Sequence, residues 1–160
     1  METEIRRPAV LSPARLGRLV ACVAASPGDW SELVRFEPGR RWYYRLELAD
    51  DHEVWLLSWL PGQETGFHDH GDAAGAFAVA EGELQERTAA VGRPGIRSRV
   101  VPAGRHRSFG SQHVHEVRNI SARPALSIHA YSPPLSAMRR YEMTGAGLVH
   151  TAIDSAEPDW

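Results

Sequence analysis

Two histidines one residue apart, His68 and His70, stand between two apolar runs, VWLLSWL before them and AFAVA after. Short apolar runs bounded by turn residues have the form of strands buried in a core. A polar pair held between two such strands is carried toward the core. On a strand, residues i and i+2 share a face, so both imidazoles can aim at one point. Imidazole suits iron, zinc, copper and nickel. An isolated His-x-His in a polar stretch such as HDHGD more often decorates a surface, but the flanking runs shift the reading toward a metal site. Glycines frame the pair: five residues separate Gly62 from His68, four separate His70 from Gly75, and six separate Gly75 from Gly82.

The rest of the chain supplies a strand-rich frame. Ser12-Pro13 reads as an N-cap followed by proline at the first helical position. Leu16, Leu19, Val20 and Val23 then recur at helical spacing, and Ser26-Pro27-Gly28 stops the helix. Cys22 on that helix is expected to be a small packing residue. A second short helix is expected from Trp30 to Phe36, and Glu37-Pro38-Gly39 is a turn. From Arg40 the period becomes strand-like, with expected strands at 41–48, 53–60, 76–81, 83–90, 97–101, 106–110, 114–120 and 125–131. Such spacing, with Gly and Pro between the segments, points to a β-barrel or sandwich. Residues 141–151, broken at Gly145-Ala-Gly147, read as a closing hairpin. Residues 1–11 are expected to be extended or frayed, and DSAEPDW to be a polar tail.

With 160 residues, the whole chain 1–160 is expected to be one domain, a helical segment at about 12–36 ahead of a barrel at about 40–151. A net charge of −2 gives no electrostatic reason to expect nucleic acid. No apolar run approaches the ~20 residues of a membrane span, and the first residues lack the basic-then-apolar order of a signal peptide. The single cysteine excludes an internal disulfide and fits a reducing cytoplasm.

A catalytic metal that keeps open positions takes three protein ligands, so a third is needed. His52 lies in an acidic turn and is expected to be solvated, His106 in Arg-His-Arg to lie on a basic surface, and His150 to be structural or exposed. His113 and His115 share a face if their strand is regular, and both stay open on spacing alone. His129 shares a face with Tyr131 and, from its surroundings alone, reads as a satisfied core histidine. Trp59 is expected to pack the core.

The glycine-histidine spacing resembles the first cupin motif, G-x5-H-x-H-x4-E-x6-G, with Gly75 standing where that motif has its glutamate. Pro102-Ala-Gly104 followed by His115-x-x-x-Asn119 resembles the second, with a longer gap between its halves. Ser127-Ile-His129-Ala-Tyr131-Ser132-Pro133-Pro134 is similar to the signature of cysteine dioxygenases, the thiol-oxidising branch of the cupins. The resemblance runs from about Tyr43 to Pro134. It implies an all-β-dominated cupin barrel, jelly-roll-like, with short N-terminal helices. It implies one Fe(II) per chain on His68, His70 and His115, with His113 as the fallback third ligand. The implied reaction is oxidation of the L-cysteine thiol by O2 to cysteine sulfinic acid. Tyr131 and His129 would be catalytic, Arg45 would hold the substrate carboxylate in a Tyr-x-Arg context, and Tyr43 would line the pocket. Many members carry at the position of Gly75 a cysteine that cross-links to the active-site tyrosine; here Tyr131 stays uncross-linked. Three neutral imidazoles leave the full 2+ charge on a metal, which favours an anionic ligand such as a thiolate. The alternatives are a dioxygenase of another small thiol, such as 3-mercaptopropionate, and a non-catalytic cupin that binds a metal or small ligand. A cytoplasmic monomer is expected, whose partners are the thiol and O2, without nucleic acid or membrane.

Overall fold

The computed structural model describes residues 9–155; most of the N-terminal segment and of the polar tail lies outside them. The described chain opens with helix α1, Pro13–Ala24, then two single turns of 3-10 helix at Pro27–Asp29 and Ser31–Leu33. Strands follow: β1 Trp42–Leu48, β2 Glu53–Trp59, β3 Phe67–His68, β4 Ala74–Glu81, β5 Glu83–Ala89, β6 Ile96–Pro102, β7 His106–Phe109, β8 His115–Arg118, β9 Ala125–Ser132, β10 Ala137–Thr144 and β11 Gly147–Ser155. They build one sheet in the order β1-β2-β9-β4-β7 and a second in the order β11-β10-β3-β8-β5-β6. The strand pairings are antiparallel. This is the strand-dominated barrel with short N-terminal helices that the sequence predicts.

Every residue of β2 and of β9 is buried, because both faces of their sheet are covered. The period-two alternation of strands sorts the two faces. Odd positions point between the sheets: Trp55, Leu57, Trp59, Phe77, Val79 and Tyr131 share one core cluster. Even positions point outward: Val54, Leu56, Ala76, Ala78, Ile128 and Ala130 pack with Leu16 and Val20 of α1 and with Trp30. Leu16 and Val20 are fully buried, each stabilising by roughly 1.5–3 kcal/mol relative to exposure. The Ser12 hydroxyl accepts from Arg15 N at 3.3 Å, with Pro13 in the first turn, as the cap signal requires. Cys22 is exposed, which corrects the packing role expected of it. Two residues past Val20, it projects from the side of α1 opposite the Leu16–Val20 face.

The second helix does not form over 30–36. Trp30 leaves helical backbone angles (φ −142°, ψ −13°), and Val34 is already extended (φ −57°, ψ 131°). The Trp30 indole donates to Val23 O at 2.8 Å, so burial of this ring outweighs a helix too short to sustain itself. The closing hairpin is longer than expected, because β11 is an edge strand whose largely exposed residues carry little alternation. β3 has only two residues, so His68 lies on a strand and His70 just beyond it. Among the described residues no helix is long and apolar enough to cross a membrane.

Candidate metal centre

Register brings the first two imidazoles together. His68 on β3 is directly opposite His115, the first residue of β8, and their ring centroids are 4.8 Å apart. His70 joins them through the loop after β3, with centroids 4.9 Å from His68 and 5.1 Å from His115. Asp69 ties that loop down: its carboxylate accepts from Gly71 N at 3.0 Å, Tyr141 Oη at 2.7 Å and Arg139 N at 3.3 Å. Gly71 has φ +59°, and a Cβ there would sit 3.1 Å from Ala137 O, so this turn needs glycine.

One ligand atom from each of His68, His70 and His115 lies within 4.8 Å of the other two. The hydrogen bonds assign the tautomers. His68 Nδ1 faces Gly66 O at 3.0 Å and His115 Nδ1 faces Glu86 Oε1 at 3.0 Å. Neither oxygen can donate, so both Nδ1 atoms carry the proton and both Nε2 lone pairs are left for a metal. His70 Nε2 is buried with no hydrogen-bond partner, an arrangement that costs free energy unless something binds there. Burial pushes all three imidazoles to lower pKa; for His68 the His115 charge adds to it, for His70 those of His68 and His115, while for His115 the Glu86 hydrogen bond opposes it. Neutral imidazole is the form that ligates. Three converging neutral nitrogens, one of them an orphan, fit a resident cation with open positions.

A hydrogen-bonded chain runs beside the triad along the interior face of β9. Trp59 Nε1 donates to Ser127 Oγ at 2.8 Å, and Ser127 Oγ lies 2.8 Å from His129 Nε2. Ser127 Oγ accepts from Trp59 and still has one proton and one lone pair, so it can serve either tautomer of His129 at Nε2. His129 stays neutral, its pKa pulled down to about 3 by burial and then by His115 and Arg41. Its Nδ1 faces Tyr131 Oη across 3.4 Å. The Tyr131 ring stacks on His70 with centroids 4.9 Å apart, and burial, then the Glu53 charge, push the pKa of Tyr131 up. The sequence reading missed Ser127, although it shares the face of His129 and Tyr131 and completes this chain.

Gly75 pairs with Tyr131 on one side and with Phe109 on the other. A Cβ on Gly75 would meet Phe109 Cε2 at 2.5 Å and Tyr131 Cδ1 at 3.0 Å. Phe109 occupies the space that a longer residue at Gly75 would need, and its ring stacks on His70 and His113. Intact mass is expected to show no loss of two hydrogens from a thioether, even after turnover. Gly75→Ala is expected to cost about 1–3 kcal/mol by overpacking, read as a lower midpoint in denaturant.

The arginines around β1 separate. Arg45 pairs across the sheet with Trp55, its guanidinium lies 5.3 Å from that ring, and it reaches Glu53 at 3.7 Å with its side chain 46% exposed. Arg41 is half-buried and lies 5.1 Å over the Trp59 ring. Among the described residues it has no carboxylate partner. Burial and then the Arg140 charge pull its pKa down to about 10, so it is still a cation at neutral pH. Its field bears on His68, His129 and Tyr131. A cavity of about 350 Å³ has Arg41, Tyr43 and Gln63 in its wall. Tyr43 packs against the interior cluster. Three other histidines do not join the triad: His106 and His150 are exposed. His52, expected to be solvated, is 15% exposed because Asp51 binds its Nδ1 at 2.6 Å.

The family model described as cysteine dioxygenase type I matches residues 5–144. A cysteine dioxygenase type 1 of Danio rerio is 26% identical over 140 residues, covering 78% of this chain and 67% of its own. Two crystal structures share the fold. A protein of Thermus thermophilus aligns with TM-score 0.57 and 24% identity over 65% of this chain and 93% of its own. An RmlC-like cupin of Desulfovibrio desulfuricans aligns with TM-score 0.55 and 20% identity over 64% and 91%. With a cupin barrel, three inward imidazoles and a matching family model across most of its length, this chain belongs to the cysteine dioxygenase type I family.

Proposed function

We propose that the protein is an iron(II)-dependent dioxygenase that converts the thiol of L-cysteine to the sulfinic acid, both atoms of one O2 ending on sulfur. The observation that carries this reading is the convergence of three buried neutral imidazoles beside the Ser127–His129–Tyr131 chain. His68, His70 and His115 would hold the iron, one per chain. Iron supplies the oxygen chemistry that takes a thiolate to the sulfinic rung of the oxidation ladder. No carboxylate belongs to the triad, so the site keeps its full positive charge and attracts the thiolate.

The remaining roles belong to side chains. Tyr131 would direct its hydroxyl proton at the sulfur and the incoming oxygen atoms, with His129 holding the phenol in orientation and Ser127 holding the ring of His129. The apolar walls formed by Trp59, Phe77 and Phe109 exclude water and strengthen these polar contacts. Two arginines compete for the substrate carboxylate. Arg45 is the candidate of the Tyr-x-Arg motif but is already engaged by Glu53 and Trp55. Arg41 has no such carboxylate among the described residues, and we assign it the stronger claim, with Tyr43 beside it in the cavity wall.

Anaerobic iron loading followed by oxygen uptake with cysteine, 3-mercaptopropionate and cysteamine tests the reading. Cysteine is expected to consume one O2 per sulfinate formed; an iron-loaded protein that turns over none of the three would overturn it. Tyr131→Phe is expected to bind iron as the wild type does but to turn over cysteine ~10- to 100-fold more slowly, the cost of one hydrogen bond to a charged partner. Unchanged kinetics and full coupling in that variant would remove Tyr131 from the mechanism.

A further inference from the structure

We propose that Glu86 is a positioning residue of the metal centre, fixing the tautomer and the ring orientation of His115 through a single carboxylate oxygen. The inference rests on the reading that His68, His70 and His115 hold a metal. Glu86 lies on β5 and its side chain is fully buried. Its Oε1 faces both His115 Nδ1 and His113 Nε2 at 3.0 Å. Its Oε2 accepts from Arg107 Nε at 2.9 Å, with Arg99 Nε 4.0 Å away. A carboxylate surrounded by N–H donors can only accept. His115 must therefore present its proton to Glu86 and its Nε2 lone pair to the triad.

Glu86, His113 and His115 also lie close enough to hold a cation of their own. The hydrogen bonds argue against that use. Oε1 already takes two ring protons, and Arg107 already balances the charge from the other side. The cluster is a satisfied anchor, and its one link to the metal centre is the imidazole of His115. Carboxylate–histidine–metal relays of this kind orient the ring and raise its basicity. The absence of a carboxylate at Gly75 gives the relay a distinct consequence here. The negative charge stands one imidazole away from the metal, offset by Arg107, so the centre gains a fixed ligand without losing its attraction for an anion.

Cobalt(II) titration of the wild type, Glu86→Gln and Glu86→Asp, followed by visible absorption, tests the proposal, with circular dichroism and thermal melting on the same samples. In Glu86→Gln the amide oxygen turns to Arg107, which can only donate, and the NH2 group turns to His115. That forces the proton of His115 onto Nε2 and removes its lone pair from the site. The expected loss is about 10- to 100-fold in cobalt affinity, with altered ligand-field bands in a folded protein. Glu86→Asp keeps two acceptor oxygens and is expected to recover part of the affinity. Wild-type affinity and spectrum in a folded Glu86→Gln would overturn the role of Glu86 alone. A wild type that takes up no cobalt would overturn the metal centre itself. If Glu86→Gln does not fold, two-bond nitrogen–proton correlation on the metal-free wild type decides: His115 is expected as the Nδ1–H tautomer, and an Nε2–H tautomer would overturn the proposal.

Discussion

His70→Ala is expected to abolish metal binding while leaving the fold intact. The His70 ring is buried against Phe109 and Tyr131, but its Nε2 has no hydrogen-bond partner. Truncation therefore removes a nitrogen that does nothing in the metal-free fold except wait unsatisfied. The lost packing opens a cavity and destabilises, while loss of the orphaned polar atom offsets part of that cost. His68→Ala and His115→Ala are expected to lose the metal as well, and each also removes a hydrogen bond, to Gly66 O or to Glu86 Oε1, while Thr65 Oγ1 and His113 Nε2 still serve those acceptors. His113→Ala is the control. Its Nε2 serves Glu86, and that carboxylate keeps His115 and Arg107 when His113 is gone. Iron content by elemental analysis should stay near one per chain in His113→Ala and fall to background in the three ligand variants. Retention in His115→Ala with loss in His113→Ala would exchange the third ligand.

What the sequence made legible follows from how strictly each segment is constrained. β2, β4 and β9 are covered on both faces, so their apolar runs admit one reading, and parity alone places Ser127, His129 and Tyr131 inward together. His68 and His70 were legible because the apolar runs on either side carry the polar stretch between two core strands, although only His68 lies on a strand and His70 reaches the site from the loop after it. β3 is too short for any periodic signal, and its pairing with β8 depends on register that the chain does not display locally. Glu86 lies in ELQERTA, which reads as a solvated strand. The signal available was Leu84, two residues earlier and fully buried, which puts Glu86 on the core face. Arg41 was hidden by its neighbour Arg40, because a pair of arginines after a turn resembles any basic surface. Its shared face with Tyr43, itself packed on the interior cluster, was the one cue that pointed inward.

Arg41→Gln is expected to cost cysteine turnover far more than Arg45→Gln does. A half-buried guanidinium over Trp59, with no carboxylate partner among the described residues, has its donors available to an anion. A guanidinium–carboxylate pair is bidentate and charge-assisted, and losing it should remove roughly 1.5–3 kcal/mol of binding. That corresponds to a fall in kcat/KM on the order of 10- to 100-fold. Arg45 has a different account. Its charge already faces Glu53, and its side chain is nearly half exposed, a placement in which an ion pair contributes ~0–1 kcal/mol. Arg45→Gln should therefore shift kcat/KM by less than about fivefold. Cysteamine separates a carboxylate effect from a disturbed barrel, because it has the thiol and amine without the carboxylate. It should be a poor substrate of the wild type and nearly indifferent to Arg41→Gln. 3-Mercaptopropionate keeps the carboxylate and lacks the amine, so it should lose activity alongside cysteine. Oxygen uptake with three thiols on three proteins gives the full pattern. If Arg45→Gln carries the cysteine-specific loss and Arg41→Gln does not, the carboxylate belongs to the Tyr-x-Arg arginine. If cysteamine falls with cysteine in Arg41→Gln, that residue holds the pocket's shape and does not grip the substrate.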